Sequence, residues 1–464
     1  MMTSTRRWFT RHFSPIHLEP DESARLPVAR PHWAPEATNA YPIALGIIAA
    51  SLTWVVNASA STQNMMTSFY NPTDKTEHVT FIPSFQNGKT PAAIPLTEFY
   101  HDTQWHMNQD FRDPTDTTPL RGSTMTSLFD GSVEHVFFGQ SSLSANANDH
   151  NEVWELYNAG GWSSHDLTRG ATPVSIVESQ SCNGYNASCA RSFTGLSSLW
   201  DGSVEHVFYG TGNGHLMEVY NPGGGWFMND LTTDSGDSGV DTENIKSMWD
   251  GTTEYVVYTK GDAIDMVSCG PGGCWNTFTR ITDIVGDASM TCCAGFAAGS
   301  TLNVFFVDLF SHVKLAYRVS PGHGVTPFWS EEDVTALSGV KQAPVNALNS
   351  YYDGVSFHVF FVGSDSHIYE LYSTSSSSTS WASRDVTVSA GDVNVAKANY
   401  VEFFQPHLTA LTGFSDGTFN HLFSVGTDGH IHEAYHSASI PNANWIANDL
   451  NVSTGVGNTI LATD

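Results

Sequence analysis

The sequence predicts an all-β fold built from repeats, and three observations support this. A tryptophan closes a similar phrase seven times, about every 50 to 65 residues, a period typical of repeat architectures. Each phrase contains short apolar or alternating runs bounded by Gly, Asp, Asn or Pro, which indicate strands joined by tight turns. Four runs per repeat favour a radial arrangement, so we expect a seven-bladed β-propeller of four-stranded antiparallel blades. The seven tryptophans are Trp105, Trp162, Trp226, Trp275, Trp329, Trp381 and Trp445.

The third repeat shows the predicted strands most clearly. It reads SSLWDGSVEHVFYGTGNGHLMEVYNPGGGWFMNDLT over residues 197–232. Its first strand is expected to end at Asp201-Gly202, and its second to cover His206 to Tyr209. The third strand is expected over His215 to Tyr220, and the fourth is expected to begin at Trp226. In five repeats an Asp and an aliphatic residue follow the tryptophan at fixed spacing: Asp166-Leu167, Asp230-Leu231, Asp333-Val334, Asp385-Val386 and Asp449-Leu450.

The other repeats keep the phrase to different degrees. The sixth, over residues 350–372, and the seventh, over 413–435, preserve it almost letter for letter. The first is interrupted by a long loop after Phe81, the second by an insertion before Glu152, and the fourth and fifth keep only parts. With 14% charged residues, 12% aromatics and 39 glycines, the chain is rich in turns, and helix is expected to be minor.

The first 60 residues lie outside the repeats and predict an export signal. Arg6, Arg7 and Arg11 precede a Pro-rich stretch, and the uncharged apolar run 43–56 is followed by Ala58-Ser59-Ala60. This order is typical of a secretory signal peptide, and the run is short for a membrane span. We therefore expect a leader over 1–60, a propeller over 61–464, and a secreted or extracellular protein. The alternative is an uncleaved signal-anchor that holds an extracellular propeller to the membrane through residues 43–56.

The six cysteines fit an oxidising compartment. Cys182 with Cys189, and Cys269 with Cys274, bracket turns and would close local loops, whereas the pairing of the neighbours Cys292 and Cys293 stays open. The pairs lie in different repeats, which disfavours a zinc site, and we expect neither a metal nor a cofactor. Glycosylation sequons, which suit a secretory route, occur at Asn57, Asn186 and Asn451.

The charge balance excludes two classes of partner. The chain has 19 basic and 47 acidic residues, for a net charge of −28. Nucleic acids and anionic membrane surfaces both require basic patches, so neither is an expected partner. A neutral ligand fits the composition better.

Two polar positions recur inside otherwise apolar strands. The second predicted strand carries a histidine before an apolar triplet, replaced by Tyr255 and Asn303 in two repeats. The third carries a glutamate, replaced there by Asp265 and Leu315. In three repeats the histidine and the glutamate are 12 residues apart, and at this separation we expect the two side chains to lie opposite one another on one face of adjacent strands. The residues are His78, His135, His206, His358 and His421, and Glu98, Glu155, Glu218, Glu370 and Glu433.

The segments HVFYGTGNGHLMEVY and HLFSVGTDGHIHEAY resemble the repeats of the fungal fucose-specific lectin family, which carry R-V-Y-Y, then G-x-I-x-E and a closing Trp. The resemblance covers residues 64–455 and extends to related seven-bladed propeller lectins. It implies sugar sites between adjacent blades, with hydrogen bonds from Arg and Glu and an aromatic against the sugar ring. By position, the five glutamates and Asp265 would take the Glu role, and the stacking role would fall on the repeat tryptophans Trp105, Trp162, Trp226, Trp381 and Trp445. His, Tyr or Asn replaces the Arg in every repeat, so fucose specificity is not carried over.

The sequence therefore predicts a secreted, lectin-like propeller with several inter-blade sugar sites and multivalent binding of glycans. Repetition of the polar set argues against a single catalytic pocket, and loss of the set in repeat five is tolerated more easily when binding is multivalent. Three alternatives stay open. In the first, the His and Glu pairs are purely structural, because buried polar groups need partners. In the second, the propeller is a non-catalytic scaffold for protein partners. In the third, it acts on glycosides, which requires paired carboxylates.

Overall fold

The structure is a computed structural model, and its described residues belong to one compact unit, 58–464. The described ranges are 66–81, 96–111, 124–140, 152–170, 172–173, 195–211, 214–237, 242–261, 263–271, 273–282, 288–319, 328–374, 380–395, 411–440 and 443–455. The predicted leader, Cys182, Cys189 and the sequons at Asn57 and Asn186 lie outside these ranges.

The described strands form seven antiparallel sheets of four consecutive strands, which we number as blades 1 to 7. Blade 1 contains Met66–Asn71, Thr76–Phe81, Leu96–His101 and Trp105–Phe111. Blade 2 contains Met125–Phe129, Glu134–Gln140, Glu152–Asn158 and Trp162–Asp166. Blade 3 contains Leu196–Trp200, Glu205–Gly210, Leu216–Asn221 and Phe227–Asp230. Blade 4 contains Thr242–Trp249, Glu254–Lys260, Ala263–Gly270 and Gly273–Arg280.

The remaining three blades follow the same order. Blade 5 contains Ala288–Ala298, Thr301–Asp308, Val313–Val319 and Phe328–Asp333. Blade 6 contains Pro344–Tyr352, Phe357–Gly363, Ile368–Ser373 and Ala382–Asp385. Blade 7 contains Leu411–Ser415, Phe419–Val425, Ile431–Ser437 and Ile446–Asp449. A short segment that the sequence did not predict, Thr172–Pro173, adds a parallel fifth strand to the outer edge of blade 3.

The first strands of the blades form the inner ring of the propeller. Each contacts the first strand of the next blade, and blade 7 contacts blade 1, so the ring closes. Hydroxyl pairs join neighbouring inner strands: Ser197 and Ser247 are 2.8 Å apart, and Ser68 and Thr412 join blades 1 and 7 at 2.9 Å. The prediction of a seven-bladed propeller of four-stranded blades is confirmed.

Strand limits in blade 3 differ slightly from the prediction. The first strand ends at Trp200, because Asp201 already belongs to the turn and accepts hydrogen bonds from the backbone N–H of Ser203 and Val204. Gly202 has a φ of 95°, which a residue with a side chain rarely adopts. The third and fourth strands each begin one residue later than expected, at Leu216 and Phe227.

The Asp-aliphatic phrase marks a short helix after the fourth strand, a feature the sequence did not predict. The helices are Leu167–Gly170, Leu231–Ser235, Val334–Ser338, Val386–Ala390 and Leu450–Ser453. Asp385 is a helix N-cap, accepting a 2.9 Å hydrogen bond from the Val388 N–H, and its second oxygen accepts one from His367 Nδ1 at 2.8 Å. The same cap-and-histidine pair occurs three more times: Asp230 with His215, Asp333 with His312 and Asp449 with His430.

Three further observations bear on the predictions for this part of the chain. Cys269 and Cys274 form the expected local disulfide, and Cys293 is also disulfide-bonded. Asn451 is fully buried and its side-chain oxygen accepts from the Ile431 N–H, so this sequon is not accessible for glycosylation in the folded chain. Within the ranges described above, no helix combines the length and apolar character needed to cross a bilayer.

Candidate functional site

The predicted histidine and glutamate meet within each of five blades. His206 Nδ1 donates to Glu218 Oε1 over 2.7 Å, and the equivalent bonds in blades 1, 2, 6 and 7 are 2.6 to 2.8 Å long. All ten side chains are buried, with at most 6% of any residue exposed. The sequence therefore identified real pairs, and each pair lies in the interior rather than on an open surface.

The pairing geometry differs from the prediction of directly opposite side chains. His206 is opposite Tyr220, and Glu218 is opposite Phe208, so the two residues are diagonal neighbours on one face. A diagonal pair still lies within reach because glutamate and histidine are long side chains.

The second oxygen of each glutamate is also occupied. In blade 3 it accepts from Asn229 on the fourth strand, at 2.8 Å. Residues in register at that position serve the other glutamates: Asn108 for Glu98, His165 for Glu155, Arg384 for Glu370 and Asn448 for Glu433. In blade 6 the second strand has His358 where the lectin repeats have an arginine, and Glu370 contacts the guanidinium of Arg384 on the fourth strand instead. Each glutamate thus joins strands two, three and four of its own blade, as the structural alternative expects.

A second glutamate, which the sequence analysis missed, connects neighbouring blades. It directly precedes the histidine or its replacement in four blades, at Glu77, Glu134, Glu205 and Glu254. His78 Nε2 in blade 1 lies 3.1 Å from Glu134 Oε1 in blade 2, and His206 Nε2 lies 3.3 Å from Glu254 Oε1 in blade 4. The recurring dipeptide Glu-His was the sequence signal for this contact.

The charges of this network are unevenly balanced. Burial lowers the pKa of His78, but hydrogen bonds from its ring to Glu134 and Glu98 outweigh burial and raise that pKa to about 9. Burial raises the pKa of Glu134, but the bond from His78 outweighs it and lowers that pKa to about 2. Burial instead dominates at Glu254, whose pKa is raised to about 7. Glu134 is therefore well compensated, whereas Glu254 is not.

The repeat tryptophans fill the space between blades. Trp445 is 2% exposed, packs edge-on against Phe360 of the preceding blade and donates from Nε1 to Glu370 over 3.0 Å. Four other repeat tryptophans make the same edge-on contact with the preceding blade. In each case the partner is the phenylalanine two residues after the recurring histidine, or after Asn303 in blade 5; the tryptophans are Trp105, Trp226, Trp275 and Trp381. Trp105 and Trp381 are buried, and Trp162 and Trp226 are half-buried. A stacking role toward sugar for these indoles stays a prediction.

Half-buried aromatic residues, which the sequence analysis did not select, line the clefts between blades. Tyr220 of blade 3 stacks on the ring of His206. Nε2 of the same histidine contacts Glu254 of blade 4. Trp249 is opposite Glu254 in register, so Tyr220 and Trp249 flank the same cleft. Both side chains are half-buried.

Four consecutive clefts carry this complete set, which we call the aromatic clefts. Each has a His and a Tyr from one blade, and a Glu and an aromatic residue from the next. The aromatic pairs, from cleft 7/1 to cleft 3/4, are Tyr435 with Tyr70, Tyr100 with Phe129, Tyr157 with Trp200 and Tyr220 with Trp249. The other three clefts lack members of the set, because Leu302, Phe357 and Asn420 replace the glutamate.

The chain is distantly similar to several solved structures. No protein-family profile and no curated protein matches the sequence. Among solved structures, AofleA from Arthrobotrys oligospora is 13% identical, with 84% of this chain and 86% of that chain covered and a TM-score of 0.41. A fucose-specific lectin from Aleuria aurantia is 12% identical, with 83% and 95% covered and a TM-score of 0.40. A prolyl endopeptidase is 11% identical with a TM-score of 0.44, and 84% of this chain matches 50% of that one. At these identities and TM-scores no residue role and no function is transferred to this chain.

Proposed function

We propose that the protein is a non-catalytic, carbohydrate-binding propeller that holds sugars in the four aromatic clefts. The observation that carries the proposal is the repeated pair of half-buried aromatic side chains, one from each blade, beside a carboxylate. A sugar has an apolar face that packs on an aromatic ring and hydroxyls that bond to carboxylates and amides, so this combination suits it.

The acidic character of the chain supports a neutral ligand. With a net charge of −28 the protein repels anionic polymers and surfaces, whereas uncharged glycans are unaffected. Several equivalent clefts on one ring would bind a glycan-coated surface with much higher avidity than any single cleft binds a sugar. The buried His and Glu pairs would then position the clefts, with His206 supporting the ring of Tyr220.

The proposal is tested on a glycan array with the full chain and two matched variants. Trp200→Ala combined with Trp249→Ala removes the aromatic wall of two clefts, and we expect a loss of avidity of at least about tenfold. Tyr352→Ala is the control, because Tyr352 occupies the same strand position in a cleft that has Phe357 instead of the glutamate. The control should bind glycans as the wild type does.

Two results would contradict carbohydrate binding. One is a wild-type protein that retains no glycan on the array and shows no thermal shift with monosaccharides. The other is an equal loss of avidity in the Tyr352→Ala control, which would indicate a general loss of structure.

A separate question is whether the predicted glutamates touch the sugar. Glu218→Gln with unchanged melting and lower avidity would support contact, whereas impaired folding would support a structural role.

We also propose that the propeller is exported and acts outside the cell. The support is the order of basic residues, apolar run and Ala-x-Ala site in the first 60 residues. Expression in a secretory host, followed by N-terminal sequencing of the medium, should give a chain that begins at Ser61. Retention of the full-length chain in the membrane fraction would instead establish the signal-anchor alternative, and accumulation inside the cell would refute export.

A further inference from the structure

Three inter-blade clefts each gather one histidine and two carboxylates, and in two of them both carboxylates face Nε2 of the histidine. In the third, cleft 7/1, Glu77 lies instead on the Nδ1 side of His421, at 3.4 Å. In cleft 2/3, His135 Nε2 lies 3.6 Å from Asp130 Oδ2 and 3.5 Å from Glu205 Oε1. In cleft 3/4, His206 Nε2 lies 3.9 Å from Asp201 Oδ2 and 3.3 Å from Glu254 Oε1. In each cleft one donor atom from each of the three residues lies within 4.8 Å of the others. The same sequence positions supply both sets.

The histidine nitrogen that faces these carboxylates has no hydrogen-bond partner. Among the described residues, Nε2 of His135 and Nε2 of His206 are buried and unpartnered, and so is the second oxygen of Glu205 and of Glu254. Both histidines are more than nine-tenths buried. Buried polar atoms normally have a partner, so the histidine Nε2 and the glutamate of each cleft both leave bonding capacity unused.

The opposite ring nitrogen is already fixed by a carboxylate. His135 Nδ1 donates to Glu155 over 2.6 Å, and His206 Nδ1 donates to Glu218 over 2.7 Å. A carboxylate only accepts hydrogen bonds, so the Nδ1 proton is held there and the Nε2 lone pair is available to a Lewis acid. A carboxylate behind a metal-binding histidine is the usual arrangement around zinc, where it sets the tautomer and increases the basicity of the ligand.

The charge in these clefts also calls for a cation. Three carboxylates surround one imidazole in cleft 2/3, namely Asp130, Glu155 and Glu205 around His135. Burying such an excess of negative charge is costly unless a cation compensates it.

We propose that clefts 2/3 and 3/4 each bind one Zn²⁺ ion, through His135, Asp130 and Glu205 and through His206, Asp201 and Glu254. A tetrahedral zinc with bonds near 2.1 Å separates its ligand atoms by about 3.4 Å, close to the 3.3 to 3.9 Å found here. Calcium and magnesium prefer all-oxygen sites, whereas an imidazole with carboxylates suits zinc. Three protein ligands leave the fourth position for water or another ligand.

Other clefts of the same protein provide internal controls. His358 Nε2 bonds directly to Asp353 at 3.0 Å, and Asn420 stands in the position of the bridging glutamate. His78 Nε2 is occupied by Thr76 at 2.7 Å and by Glu134. Neither histidine presents an unpartnered nitrogen, so neither cleft is expected to bind zinc.

The test measures zinc content in the full chain after incubation with zinc and removal of the excess. We expect about two zinc ions per chain in the wild type, about one in His135→Asn or His206→Asn, and none in the double variant. His358→Asn, the matched control, should keep both ions. Zinc loading below the level of one ion per chain in the wild type, or equal loss in the control, would overturn the proposal.

The zinc content of the double variant also separates these sites from other groups that could bind zinc. Two other groups could hold zinc: Asp428, His430, His432 and Asp449 in blade 7, which lie closer to solvent, and Glu77, Asp416 and His421 in cleft 7/1. Zinc retained by the double variant would place the ions in one of these groups and refute the proposal. Glycan binding is measured separately, so either proposal can fail alone.

Discussion

Glu134 and Glu254 occupy the same position in blades 2 and 4, and replacing each by Gln should change stability in opposite directions. Glu134 accepts hydrogen bonds from Asn71 and Asn158 at 2.9 and 3.0 Å, and pairs with His78. Glu254 faces a histidine at 3.3 Å, and its second oxygen has no partner among the described residues. The charge of Glu134 thus stabilises the fold, whereas the charge of Glu254 opposes it.

The size of each effect follows from the pKa values. The pKa of Glu134 falls from 4.5 to about 2, so ionisation stabilises the fold above pH 4.5, and this contribution is lost as the pH falls through 2. The pKa of Glu254 rises from 4.5 to about 7, so stability decreases as the pH rises from 4.5 through 7. At 1.36 kcal/mol per pKa unit each effect is at most about 3 kcal/mol.

The assay is urea unfolding of the wild type and both variants at pH 5 and pH 8, with EDTA present to keep metal away. Glu134→Gln should lower the free energy of unfolding at both pH values. Glu254→Gln should raise it at pH 8 and change it much less at pH 5, since the wild-type carboxyl group is largely protonated there. If both variants shift the unfolding midpoint in the same direction at pH 8, the electrostatic reasoning is wrong.

Three smaller predictions concern the propeller scaffold and are measured by melting temperature or urea midpoint. Trp445→Ala should cost about 3 to 5 kcal/mol, because it empties the contact with Phe360 and leaves Glu370 without a donor. Asp385→Ala should cost about 1 kcal/mol through loss of the helix cap, and Asp385→Asn less. Reduction of the disulfide between Cys269 and Cys274 should cost about 2 kcal/mol, because this disulfide closes only a short loop. An unchanged melting temperature or urea midpoint in any of the three cases would contradict the contact assigned there.

The architecture was accessible from sequence because each repeat carries its own strands and turns. The turn after Trp200 needs a carboxylate to accept backbone N–H groups and a residue that tolerates positive φ. Asp201 and Gly202 meet these needs, and both can be read from the sequence. The helix capped by Asp385 was not predicted, since four or five residues are too few to show a helical period. The limits of single strands in blade 3 differ from the prediction by one residue for another reason, because turn contacts override the apolar pattern locally.

The site was less accessible, because its contacts join residues of different repeats. The bond between His206 and Glu218 lies within one blade and was predicted from spacing alone. The contact between His206 and Glu254 spans two blades, and it depends on the order and spacing of blades around the ring. The Glu-His dipeptide recurs in the sequence, yet only the ring shows that the two members of the dipeptide face opposite neighbours.

The distribution of the aromatic clefts around the ring separates function from folding. Clefts 4/5, 5/6 and 6/7 close the ring equally well without the full set. Other contacts replace it there: Arg318 packs on Tyr255 in cleft 4/5, and Arg384 lies between Tyr372 and Trp445 in cleft 6/7. If the set were required for blade packing, all seven clefts would need it. Its restriction to one continuous arc, from blade 7 to blade 4, is what selection for binding on one side of the propeller would produce.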